Sequence, residues 1–109
     1  MKSTVFFGDQ KLKEAFQKLE DAKTEDKELH KWISRAIDDI EENAFCGLQI
    51  PKKQIPKEYV QKYQIDNLWK YDLPKAWRLL YSVAGDEIQI VSIVLEWLDH
   101  KKYERRFDY

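Results

Sequence analysis

Between Asn67 and Phe107 the chain reads NLWKYDLPKAWRLLYSVAGDEIQIVSIVLEWLDHKKYERRF. Alternation of apolar and polar side chains through this stretch limits the fold more than any other feature. It predicts three strands joined by two tight turns, followed by a short polar tail of basic residues and a tyrosine. A turn at Pro74–Ala76 that sets Leu73 opposite Trp77 also sets Asp72 against Arg78, Tyr71 against Leu79 and Lys70 against Leu80. A two-residue hairpin turn at Gly85-Asp86 sets Val83 against Ile88 and Tyr81 against Ile90. Period-2 geometry then gathers Trp69, Tyr71, Leu73, Trp77, Leu79, Tyr81, Val83, Ile88, Ile90 and Val94 on one face. The opposite face carries Lys70, Asp72, Arg78, Leu80, Ser82, Gln89, Val91, Ile93 and Leu95. Half of that second face is apolar, so it needs a cover: the C-terminal tail, the 48–65 segment or a partner.

Upstream, Ser3–Phe7 is rich in β-branched and aromatic residues and predicts a first strand. Asp9 is a natural N-cap for a helix in which Leu12, Ala15, Phe16 and Leu19 share a side. Thr24 can cap a second helix, with Glu25 and Asp26 in its first turn. Its apolar stripe runs through Leu29, Trp32, Ile33, Ala36, Ile37, Ile40 and Ala44. After Gly47, Pro51 and Pro56 interrupt regular structure ahead of a helical turn near Glu58–Tyr63. Ile50, Ile55 and Tyr59 can wrap this long connection against a core. The fold class is therefore α+β: an N-terminal strand, an antiparallel helical hairpin, then a three-stranded antiparallel meander completing a sheet with the helices on one face. At 109 residues the expectation is a single domain over 1–109.

Charge is uneven along the chain. Residues 1–46 hold 8 Lys/Arg against 11 Asp/Glu, whereas residues 47–82 hold 7 against 3. A phosphate-bearing partner would meet the C-terminal half, unless the excess is an ordinary solvated face. Cys46 is the single cysteine, which leaves no intrachain disulfide or thiolate metal cluster, and its neighbours suggest a small buried hydrophobe. No apolar leader and no run of membrane-spanning length is present, so the expectation is a cytoplasmic protein with no membrane partner. His30 and His100 lie in different elements without ligand neighbours, and GxSxG, Gly-rich phosphate loops and CxxC are missing. No metal and no cofactor is expected.

What remains is a set of cations with a phenol: Lys70 and Arg78 on one strand face, and His100, Lys101, Lys102, Tyr103, Arg105 and Arg106 in the tail. RNA cleavage needs little more, because the 2′-hydroxyl is the nucleophile and the protein orients it and neutralises charge on the phosphorane. Arg grips phosphate by paired donors and Lys acts as a point charge, while Tyr or His moves a proton. The plainer alternative is that Asp72 opposite Arg78 is an ordinary cross-strand ion pair.

These residues, read as LWKYDLPKAWRLLYSV…EIQIVSIVLEWLDHKKYERRF after a strand and a helical hairpin, resemble the RelE/ParE toxin superfamily of type II toxin–antitoxin modules, closest to archaeal RelE-like proteins. The resemblance implies a RelE-like domain, ribosome-dependent and metal-free cleavage of mRNA, and inhibition of translation. It implies three partners: a cognate antitoxin protein, the ribosome and mRNA. The family's strand arginine falls on Arg78, a strand lysine on Lys70, the C-terminal tyrosine on Tyr103, and a basic neighbour on Lys101; these four are the expected catalytic set. Lys52, Lys53, His100, Arg105 and Arg106 are the expected RNA-binding set. Asp72 stands where the family has a second lysine, a role left to Lys52 and Lys53 from the loop. Two other readings stay open: a ParE-like gyrase-binding toxin, and a catalytically degenerate member acting only by protein binding.

Overall fold

A computed structural model of the chain describes residues 1–85 and 90–107. The first strand, β1 (Thr4–Phe7), leads into α1 (Gln10–Glu20) and α2 (Thr24–Glu42). A two-residue strand β2 (Leu48–Gln49), a 3₁₀ turn (Lys52–Gln54) and α3 (Lys57–Tyr63) precede β3 (Trp69–Asp72). A second 3₁₀ turn (Pro74–Ala76), β4 (Arg78–Gly85), β5 (Ile90–Leu98) and α4 (His100–Phe107) complete the fold. The strands form one mixed sheet in the order β1-β5-β4-β3-β2, with β1 parallel to β5 and the other pairs antiparallel. The class is α+β. The fifth strand, β2, was not legible because two residues carry no alternation.

Asp9 caps α1 as expected, accepting a hydrogen bond from the Leu12 N–H at 2.8 Å. The second cap differs. Lys23 occupies the cap position of α2 without a side-chain bond, and Thr24 is the first helical residue. Glu25 and Asp26 in the first turn supply the negative charge that favours a helix start. The α2 stripe is buried at Leu29, Ile33, Ala36 and Ile40, with Ala44 just beyond the helix, and Trp32 and Ile37 pack beside it. Cys46 is exposed, contrary to expectation. The chain turns between Ala44 and Gly47, and Ala44 takes the inward place instead.

The first sheet face follows the alternation. Leu73, Leu79, Tyr81 and Val94 are buried against α2, flanked by Trp69, Tyr71, Trp77 and Val83. Register around the Pro74–Ala76 turn is as read from sequence: Asp72 pairs with Arg78, Tyr71 with Leu79 and Lys70 with Leu80, and the Leu73 N–H donates to the Trp77 carbonyl at 2.9 Å. The second hairpin is different. Gly85 pairs with Ile90, Val83 with Ser92 and Tyr81 with Val94, so the Val83–Ile88 and Tyr81–Ile90 pairs do not form. The expected turn residue Asp86 and the face positions Ile88 and Gln89 lie outside the described residues. A bulge between Leu80 and Tyr81 also shifts this register.

Helices cover both faces of the sheet, not one. Leu80, Leu95 and Leu98 on the second face meet Ile50, Tyr59, Leu68 and Tyr103, with Ile55, Tyr63, Ile65, Ile93 and Phe107 around them. The apolar strip is thus covered by the 48–65 segment and by the tail, which is helical as α4. Leu68 and the sheet leucines drive that closure, because leaving them in water would forfeit roughly 1.5–3 kcal/mol each. The buried Ser92 hydroxyl finds a partner: it lies 3.0 Å from the Ser3 hydroxyl, which is 2.8 Å from the Ile40 carbonyl. Asn67 acts as an extra rung beside β4, accepting from the Val83 N–H and donating to its carbonyl at 2.9 and 2.7 Å.

Candidate functional site

Strands β3 and β4 present Lys70, Asp72 and Arg78 side by side, because Asp72 and Arg78 are a cross-strand pair and Lys70 is two residues from Asp72. Helix α4 lays Tyr103 over them. The Tyr103 ring centroid is 5.7 Å from the Lys70 ammonium and 5.1 Å from the Arg78 guanidinium carbon, within cation–π reach. Phe107, one helical turn on, stacks on Tyr103 at 4.5 Å. Three of the four expected catalytic residues therefore converge on the face turned away from α1 and α2.

Asp72 sits between the two cations. Its Oδ1 lies 3.5 Å from Lys70 Nζ and 3.0 Å from Arg78 Nε. The lysine and arginine side chains are 23% and 17% exposed, against 55% for the aspartate. Electrostatically this is two positive charges sharing one negative charge, with a net surplus beneath an aromatic lid. The Arg78 Nε atom is within ion-pair distance of Asp72, yet its N–H is not aimed at that oxygen and finds no hydrogen-bond acceptor among the described residues. We read the contact as a charge pair without a directed hydrogen bond. A buried donor left in that state costs about 1–3 kcal/mol, and sites for anionic ligands are one place where such a cost persists.

The guanidinium is aimed by the adjoining turn. Arg78 Nη1 donates to the Ala76 carbonyl at 2.5 Å and reaches the Trp77 carbonyl at 3.5 Å. That turn is strained: Lys75 and Ala76 both have left-handed φ, 57° and 61°, without being glycine. Backbone strain of this kind concentrates where a surrounding structure holds functional groups in place.

The remaining sequence candidates are dispersed. Lys101 is exposed on α4. It is two residues from Tyr103, about 200° round the helix, so the rotation that turns the tyrosine inward turns the lysine out. It does not join Lys70 and Arg78. His100 is exposed and pairs with Glu104 one turn along. Lys52 and Lys53 lie exposed in the 3₁₀ turn, and Arg105 is exposed on α4.

Arg106 has a different setting from the open RNA contact expected of it. Its Nη1 donates to Glu96 Oε2 at 2.6 Å and to the Tyr59 hydroxyl at 2.7 Å, while its Nε is 3.1 Å from Glu58 Oε1. The Tyr59 hydroxyl in turn donates to Glu96 at 2.6 Å. Burial, followed by the neighbouring Glu96 carboxylate, pushes the Tyr59 phenol far above its ordinary range. A groove of about 390 Å³ runs past this network between α1, α3 and β5, bordered by Asp9, Lys62 and Tyr63. Tyr63 and Lys62 both reach the Asp9 carboxylate, at 3.1 and 3.3 Å, which ties α3 to the start of α1. Sequence reasoning missed Tyr59 and Glu96 as partners. The available signal was Glu96 itself, a charge within the apolar run IVSIVLEWL, since a carboxylate in a covered strand demands a donor.

Among the described residues no group of three His, Cys, Asp or Glu side chains is placed to hold a metal ion. No helix among them is long and apolar enough to cross a membrane. Comparison with protein-family models, with curated proteins and with solved structures yields no match.

Proposed function

We propose that this chain is a RelE-like toxin of a type II toxin–antitoxin module, a ribosome-dependent endoribonuclease that cleaves mRNA through attack of a 2′-hydroxyl. The observation that carries the reading is the convergence of Lys70, Arg78 and Tyr103 on one sheet face, with a buried Arg78 donor that has no acceptor among the described residues. The order of a strand, a helical hairpin and an antiparallel β3-β4-β5 unit is compatible with the same family. In the reaction the 2′-oxygen bonds to the adjacent phosphorus and gives up its proton, and the bond to the 5′-oxygen of the next nucleotide breaks as that oxygen is protonated. The products are a cyclic 2′,3′-phosphate and a free 5′-hydroxyl. Lys70 and Arg78 neutralise the phosphorane oxygens, and Tyr103 positions the cations and contributes a phenol to proton movement. Lys52, Lys53 and Arg105 hold the flanking backbone, and a cognate antitoxin keeps the protein silent.

A second reading, a family member that binds without cleaving, draws on Asp72 and on the 4% exposure of Tyr103. A phosphate entering this cluster competes with the Asp72 carboxylate for both cations.

Induction in cells followed by mapping of transcript ends separates the two. Wild-type protein is expected to arrest growth and generate new 5′-hydroxyl ends within translated frames, and Arg78→Ala to reduce cleavage by roughly 10²–10³-fold, as for loss of one oxyanion donor. Equal toxicity of Arg78→Ala and wild type overturns the nuclease reading. Absence of new ends with wild type, but their appearance with Asp72→Ala, establishes the degenerate one. Supercoiling defects without transcript cleavage support the gyrase-binding alternative.

A further inference from the structure

The bulge in the β4–β5 ladder has a consequence for α4. Leu80 pairs with Glu96 and Tyr81 with Val94, which leaves Leu95 as an extra residue on β5. One extra residue reverses the facing of everything after it. Before the bulge, Ile93 and Leu95 pack on the α3–α4 side; after it, Leu98 does so, while Val94 and Trp97 pack on the hairpin side. Uninterrupted alternation would have turned Glu96 toward α1 and α2 with Val94. The bulge turns it instead toward Tyr59 and Arg106, and aligns it in the cross-strand row Lys70–Leu80–Glu96.

Two points of α4 therefore land on one row of the sheet. Tyr103 lies over Lys70 and Arg78 at one end, and Arg106, three residues later on the same side of the helix, grips Glu96 at the other. An eight-residue helix has no stability of its own in water, so its height and rotation on the sheet are set by its docking groups. Tyr103 and Phe107 stack on each other, and the Tyr103 ring rests on the two cations. The charge-assisted bonds among Glu96, Arg106 and Tyr59, all 2.6–2.7 Å, are strongly directional and so constrain the rotation of the helix.

We propose that Glu96 is a positioning residue for the Lys70–Arg78–Tyr103 site: by holding Arg106 and Tyr59, it locks α4 in the rotation that sets the Tyr103 ring over the two cations. The geometric half stands on the contacts alone, whereas the catalytic consequence rests on the nuclease reading above. Glu96→Ala removes the acceptor, whereas Glu96→Gln keeps an oxygen for Arg106 and Tyr59 and serves as the conservative control.

The test uses the full chain and two readouts at a temperature where every variant is folded. The first is the NMR signal of the Arg78 Nε–H, on a guanidinium whose carbon is 5.1 Å from the Tyr103 ring centroid and which is therefore expected to sense its ring current, together with amide exchange across residues 103–107. Glu96→Ala is expected to move the Arg78 signal toward its unstacked position and to speed exchange roughly ten- to a hundredfold, with Glu96→Gln close to wild type. The second is single-turnover cleavage on programmed ribosomes. Glu96→Ala is expected to slow the chemical step by about 10²-fold with half-saturation unchanged, as a displaced catalytic group does. An unmoved Arg78 signal overturns the proposal whatever the cleavage result, and so does a moved signal with a wild-type cleavage rate. If wild type cleaves nothing, the nuclease reading falls and the Arg78 signal alone decides the positioning claim. Should Glu96→Ala not fold, Tyr59→Phe, which deletes one donor to Glu96, is read in the same way.

Discussion

The two faces of the sheet are built on different terms. Against the helical hairpin, Leu29, Ile33, Ala36 and Ile40 meet Leu73, Leu79 and Val94 in an apolar layer whose only phenol at full burial is Tyr81 among the described residues. Against α3 and α4, leucines alternate with Lys70, Arg78 and Glu96; Arg78 and Glu96 meet partners brought from other elements, and Lys70 meets Asp72 on its own strand. The first face needs only apolar shape, and many side chains satisfy it. The second needs particular donors and acceptors at hydrogen-bond distance, because an unpaired buried charge costs several kcal/mol. Both faces bury an apolar cluster, but only the α3–α4 face also requires particular polar pairings.

The sharpest way to break that comparison is to hollow out the first face. Ile33→Ala, at a fully buried position on α2, is expected to cost about 2–5 kcal/mol in urea unfolding, while leaving the Tyr103 ring over Arg78 undisturbed in the folded protein. A shift of the Arg78 Nε–H signal in the folded Ile33→Ala protein would show that the faces are not independent.

A smaller effect is expected at Tyr81, where the first face reaches into the 44–47 turn. Its hydroxyl donates to the Ala44 carbonyl at 2.8 Å and accepts from the Gly47 N–H at 3.0 Å. Gly47 passes so close that a Cβ there would stand 2.5 Å from the Lys70 carbonyl and 2.8 Å from this hydroxyl. Tyr81→Phe keeps the ring and orphans both backbone groups, for a loss of about 1–3 kcal/mol by thermal or denaturant unfolding. A neutral result would mean that the turn is satisfied in some other way.

The smallest expected effect lies at Asp9, where the two helical layers meet around the sheet. Its carboxyl is held below the ordinary 3.8 first by the Leu12 N–H, with Tyr63 and Lys62 adding to this against the opposing effect of burial. A folded-state pKa below the unfolded one adds stability above the unfolded value, and that contribution is lost as pH falls through the folded one. Asp9→Ala is expected to cost about 1 kcal/mol at neutral pH, and the gap from wild type to narrow in urea titrations taken well below pH 3.8. A gap that stays constant with pH would place the cap's contribution outside its charge.

The residues also show where sequence reasoning stops. The Lys70–Leu80 and Asp72–Arg78 pairs were legible because a short turn containing proline leaves few ways to close a hairpin. The β4–β5 register was not: from Gly85 to Tyr81 the pairing already runs against Ile90 to Val94, offset from the expected turn before the bulge is reached, and the apolar run IVSIVLEWL has no alternation to reveal either the offset or the bulge. Cys46 illustrates the same limit: small apolar neighbours suggested burial, but which residue of a bend points inward depends on what lies beneath it.

Taken alone, the order of residues determined the helical hairpin, the face of the sheet it covers and the pairing of Arg78 with Asp72, because periodicity and turn chemistry are local properties that any short segment carries with it. Only the tertiary structure decided that the basic tail is a helix, that it brings Tyr103 over Lys70 and Arg78 while turning Lys101 outward, and that Glu96 meets Arg106. Those contacts join positions tens of residues apart through rotation of a docked helix and a shift of strand facing, and neither quantity has a signature within a single segment.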